Sequence, residues 1–97
     1  MISSINESRK KILRKAIFNE INDLNPKKIL DNGCGINGSF DYREFKNRIS
    51  ACDTLADEIN RKGGPSGTGI KVKKATSEGL PYKNKSFDCV VFAGVIQ

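Results

Sequence analysis

The chain contains no histidine, and its three cysteines, Cys34, Cys52 and Cys89, stand far apart. This excludes a Cys/His zinc site of paired-ligand spacing and any catalytic triad that needs an imidazole. No metal site is expected. Long apolar runs are also missing, so no segment reads as a membrane span. The N-terminus has no apolar signal core. It is basic and serine-containing, as mitochondrial targeting segments are, but Glu7 and Glu20 count against that address. Two of the cysteines sit in apolar strand-like runs and read as reduced core residues, so the expected compartment is cytoplasmic. Low-complexity blocks are absent, and 97 residues leave room for one small, marginally stable domain spanning 1–97.

Charge is plentiful, with a net +6. The basic residues are spread along the chain, with groups in 9–15, at 27–28 and in 71–74. Such charge favours an acidic partner such as RNA. No basic stretch is interleaved with aromatics, however, and a lysine-rich solvated surface is the simpler reading.

Residues 4–24 read as one amphipathic helix packed on a sheet. Ser4 and Glu7 have capping-box spacing. Ile5, Ile12, Ala16, Ile17, Ile21 and Leu24 recur at helical period, and Asn25-Pro26 ends the run. Lys28–Asn32 is a short strand leading into Gly33-Cys34-Gly35. A brief helix is expected near Ser39–Lys46, then a strand over Arg48–Cys52 ending at Asp53. Thr54 is placed to cap a helix running to Arg61, with Leu55, Ala56 and Ile59 inward. Residues 63–69 read as a flexible connection, Ile70–Ala75 as the third strand and 79–86 as a loop. Phe87–Ala93 is the fourth strand, apolar on both faces as a strand inside a parallel sheet should be. Strands alternating with helices predict an open α/β sheet with helices on both faces. Ligand in such a sheet binds beyond the carboxyl ends of the strands, at the switch point beside the first.

Gly33, Gly35 and Gly38 are expected to lie between a strand and a helix, where a missing Cβ permits a tight turn and close approach of a ligand. Asp53 follows Gly33 by 20 residues, at the end of the next strand. A carboxylate there can accept both hydroxyls of a ribose. Read literally, GCGING is the dinucleotide fingerprint, so an NAD-binding oxidoreductase has to be weighed. Against it, Asp31 replaces the apolar residue usual before that turn and suits a ligand carrying an ammonium better than a pyrophosphate. A full helix also precedes the first strand.

KILDNGCGING, residues 28–38, resembles the first motif of class I S-adenosylmethionine (SAM) dependent methyltransferases, a hydrophobic strand followed by D-x-G-x-G-x-G. ISACD, 49–53, resembles their second motif. ATSEGLPYKNKSFDCVVFAGVIQ, 75–97, resembles the third and fourth, with Leu80-Pro81-Tyr82 followed by Ser86-Phe87-Asp88 the most discriminating part. The resemblance covers 28–97 and implies a Rossmann-like parallel sheet of the methyltransferase type, here about four strands with an N-terminal helix. It implies SAM as cofactor, held by the backbone at Gly33, Cys34 and Gly35, with Asp31 near the amino group of the methionine part. Asp53 and Thr54 would meet the ribose, Thr76 and Ser77 the adenine edge, and Phe92 and Ala93 the floor of the site. The implied activity is methyl transfer to a small molecule or a tRNA.

Departures from the pattern are specific. Asn37 stands where the family has its third glycine, with Gly38 one place late, and Asn tolerates positive φ. Thr76 replaces the usual aspartate, and Gln97 takes a position often held by histidine. The family fold has seven strands, so the resemblance implies the N-terminal half only. The fourth strand would then be an open apolar edge, inviting self-association or a missing C-terminal half. A SAM-fold remnant without catalysis is the alternative this raises. GPSGTG at 64–69 lacks the G-K-[ST] end of a phosphate loop. Asp88 is expected at the sheet end opposite the ligand. No general base stands out, and methyl transfer can proceed by positioning alone.

Overall fold

A computed structural model describes residues 2–75, 86–92 and 95–96 of the chain. The fold is a small α/β sheet with a long N-terminal helix. Helix α1 spans Ile2–Leu24. Its first turn includes Ser4, so the capping box expected at Ser4 and Glu7 does not mark the start. Asn25 ends it in a left-handed conformation, φ 48°, its N–H donating to the Ile21 carbonyl at 2.8 Å, and Pro26 follows. Ile17 and Ile21 are buried, but Ile12 and Leu24, expected to face inward, are exposed. The reason is length. A 23-residue helix is about 34 Å long, and a four-residue strand rises only about 13 Å, so part of the helix overhangs.

Strands β1 (Ile29–Asn32), β2 (Ile49–Asp53), β3 (Val72–Lys74) and β4 (Cys89–Phe92) are parallel, and the two-residue β5 (Val95–Ile96) runs antiparallel to β4. The order is β3-β2-β1-β4-β5. The chain thus steps from β1 outward to β3 and returns to the other side of β1, which makes the β1/β4 boundary the switch point of the sheet. All four residues of β1 are buried, as a central strand requires. The β4 edge, expected from the sequence to be open, is covered in part, where Val91 and Phe92 pair with Ile96 and Val95. On the opposite edge, Asn60 exchanges two hydrogen bonds with the backbone of Val72, at 2.8 and 2.9 Å.

The main core lies on one face, where Ile17 and Ile21 of α1 meet Ile29, Ala51, Val72, Cys89 and Val91. The second face carries Leu30, Cys52 and Ala75, with Phe87 and Val90 against them. Among the described residues every helix packs on the first face, not on both. Helix α2 is short, Ala56–Arg61, with Ala56 and Ile59 buried. Between β1 and β2 the expected helix at 39–46 is replaced by an aromatic segment with one 3-10 turn, Arg43–Phe45. Phe40, Tyr42 and Phe45 are all buried and stack edge-on, Phe40 to Tyr42 at 5.1 Å and to Phe45 at 5.9 Å. Inward positions two residues apart suit extended chain rather than a helix.

Candidate functional site

The glycine turn leaves β1 at its carboxyl end, where Asn32 stands opposite Cys52 and Phe92. Gly33, Gly35 and Gly38 have φ of 80°, 64° and 72°. Gly38, not Asn37, therefore takes the left-handed place. A Cβ on Gly38 would come within 3.0 Å of the Tyr42 ring, whereas one on Gly35 would meet nothing within 4 Å. The backbone is thus open to a ligand at Gly35. Gly33 and Cys34 anchor the turn by donating to the Cys52 carbonyl at 2.9 and 3.2 Å.

Asp53, at the end of β2, faces this turn. Its Oδ2 accepts from the Gly35 N–H and its Oδ1 from the Leu55 N–H, both at 2.9 Å. The acid and turn, 18 residues apart in sequence from Gly35, are brought together as expected. The second bond is an Asx-type turn made by Asp53 rather than by Thr54, which is exposed beside it. Leu55 is 60% exposed and so is not the inward helix residue the sequence suggested. With Ile36 and Phe92, also exposed, it supplies apolar surface at the ends of the strands. Thr76, Ser77 and Ala93 lie outside the described residues, as do Leu80-Pro81-Tyr82 and Gln97.

Asp31 behaves differently from the expectation. It is fully buried, and its carboxylate accepts from the Ser39 N–H (2.8 Å), the Ser39 hydroxyl (2.7 Å) and the Tyr42 hydroxyl (2.5 Å). Burial raises its pKa, against the lowering effect of those bonds. The carboxylate braces the chain after the turn through Ser39 and Tyr42. Nothing local pairs Asp31 with Tyr42; only the two-residue aromatic spacing at Phe40 and Tyr42 hinted at extended chain returning to the strand.

Cys34 is buried, and burial with the nearby charges of Asp31 and Asp53 pushes its thiol up to about 12. It stays protonated near neutral pH and lacks nucleophilic character. Asp88 lies at the opposite end of the sheet, accepting from the Lys27 and Lys28 N–H groups at 2.9 and 2.8 Å, which lowers its pKa. Its part is to tie β4 to the entrance of β1.

Two features were not legible beforehand. A hollow of ≈ 310 Å³ opens between α1 and the turn, with Lys10, Leu13 and Arg14 on the helix side and Gly35 and Ile36 opposite. The segment 63–69, read as a bare connection, is a closed loop. Gly69 donates to the Gly63 carbonyl at 2.7 Å and Thr68 Oγ1 to the Pro65 carbonyl at 2.7 Å. The loop is seated on the turn through Ser66, whose N–H reaches the Ile36 carbonyl at 2.8 Å and whose hydroxyl reaches the Asn37 carbonyl at 2.9 Å. Among the described residues no cluster of three or more metal-ligating side chains occurs, and no helix is long and apolar enough to cross a membrane. Comparison with models of known protein families, with curated proteins and with solved structures gives no match.

Proposed function

We propose that the chain binds SAM at the glycine turn and serves methyl transfer to an acceptor, a small molecule or a tRNA. One observation carries the reading: the Asp53 carboxylate and the open backbone of Gly35 face each other at 2.9 Å, beside the switch point of the sheet. A carboxylate so placed accepts from vicinal hydroxyls of a ribose, which take over the bond now made by the Gly35 N–H. Leu55, exposed and next to Asp53, offers an apolar face to adenine. Lys10 and Arg14, across the hollow from Gly35, suit the carboxylate of an amino acid. Asp31 supports the turn from behind and contributes no ligand contact. SAM supplies an electrophilic methyl on a sulfonium, and the chain's task is to hold it in line with the acceptor.

A dinucleotide is less well served. Its pyrophosphate rests on the N-terminus of a helix that follows the glycine turn. Here the turn runs into the aromatic segment instead. Isothermal titration with SAM, S-adenosylhomocysteine and NAD tests the proposal. Saturable binding of the first two, lost in Asp53→Ala, is expected. Absence of heat with a folded sample at millimolar SAM, or NAD binding in its place, would sink it.

A further inference from the structure

The glycine-rich loop 63–69 and three cations distant in sequence line one cavity beside the turn. Arg14 of α1, Arg43 and Lys46 form part of its wall, and Ser66, Gly67 and Thr68 another part; its volume is ≈ 390 Å³. One carboxylate, Asp41, shares the wall and is held by Arg43, Nη2 to Oδ2 at 2.6 Å. Three cations thus face a single acid. Arg14 donates to the carbonyls of Asn37 (3.3 Å) and Gly38 and has no carboxylate within ion-pair distance among the described residues. Lys46 is exposed and likewise makes no ion pair among them.

We propose that this cavity binds a phosphate group, presented by a nucleotide or by an RNA backbone. Arg43 grips Asp41 through Nε and Nη2, so a phosphate would take that fork from the carboxylate, while Arg14 and Lys46 supply positive charge with no ion pair among the described residues. The loop supplies shape rather than donors, since the Gly67 and Thr68 N–H groups are spent on the Gly64 and Pro65 carbonyls at 3.0 Å. This distinguishes the site from a backbone phosphate cradle and puts the affinity on the side chains. Arg14 also lines the hollow over Gly35, so a bound phosphate ester would extend toward the glycine turn. The inference does not depend on SAM binding.

The test is titration of the whole chain at low salt with inorganic phosphate, adenosine monophosphate and a single-stranded RNA oligonucleotide. Arg43→Ala/Lys46→Ala is compared with Arg61→Ala/Lys62→Ala, which removes the same charge from exposed positions at the end of α2. Circular dichroism confirms that both variants fold. The cavity variant should lose about tenfold or more in affinity for the phosphate probes, with the control close to wild type. Tighter RNA binding, with a salt slope that falls by about 1 for each contact removed, identifies the RNA backbone as the source. Monophosphate binding without gain from RNA identifies a small phosphate ester. No binding of any probe at millimolar concentration, or equal losses in both variants, overturns the site.

Discussion

At the residue scale, Asp53 and Asp31 sit beside the same turn in two different environments. Asp53 is half-buried and turned toward the open side, whereas Asp31 is enclosed by its three donors. Asp31→Ala leaves those donors without their acceptor, and each buried unpaired group costs about 1–3 kcal/mol. Even after relief of the buried charge, urea unfolding should show a loss of about 2 kcal/mol or more. The sign of the pH effect follows from the raised pKa. Asp31 contributes stability below its unfolded value of 3.8 and loses that contribution as pH rises through the folded pKa. Asp88 works the other way: its contribution is present above 3.8 and is lost as pH falls through its lowered folded value. Carboxyl-carbon NMR titration should place the Asp31 midpoint above 3.8 and the Asp88 midpoint below it; the reverse order would contradict both environments. Leu55 gives a separate handle. Because it is exposed, Leu55→Ala should change stability by no more than about 0.5 kcal/mol. If the side chain covers adenine, the same change should weaken SAM binding about tenfold, the worth of a partly buried leucine. Unchanged affinity in calorimetry would remove Leu55 from the site.

At the element scale, the sequence was readable where periodicity and turn chemistry agree. β1 and β2 appear within a residue of their expected ranges because short apolar runs ending in Gly or Asp leave few alternatives, and β4 begins two residues later than the expected Phe87. The pairing of Asp53 with the glycine turn was legible for the same reason, since the parallel order brings the ends of adjacent strands together. The aromatic segment was not, because Phe40, Tyr42 and Phe45 reveal their inward positions only against α1 and the sheet. The seat of loop 63–69 was hidden too, as its bonds run to Ile36 and Asn37, far off in sequence. That loop can be tested by two glycines with the same sign of φ but different surroundings. At Gly64, φ 83°, an added Cβ would come within 2.5 Å of the Ile70 carbonyl oxygen, whereas at Gly67, φ 67°, it would meet nothing within 4 Å. Gly67→Ala should cost only the left-handed penalty, about 1 kcal/mol. Gly64→Ala adds a backbone clash and should cost clearly more, on the order of 3 kcal/mol. Equal losses in denaturant unfolding would mean that the loop is not packed as described.

For the whole molecule, small size and site position combine. A chain of 97 residues buries a modest share of its surface, so its stability is a small difference that a ligand can shift visibly. The proposed site touches α1, the glycine turn and the end of β2, and the turn in turn holds loop 63–69 through Ser66. A ligand lodged there therefore ties together segments that span most of the described chain, and binding should register as global rather than local stabilisation. At about 100 times the dissociation constant, linkage adds about 2.7 kcal/mol. For a domain of this size that corresponds to a rise in Tm of about 10 °C or more. S-adenosylhomocysteine should produce this shift in scanning calorimetry, and NAD at the same concentration should not. Asp53→Ala should start from a lower Tm, having lost its bonds to Gly35 and Leu55, and should then gain nothing from the ligand. A full shift in that variant would mean that the ligand binds without Asp53, and the site would have to be sought elsewhere on the molecule.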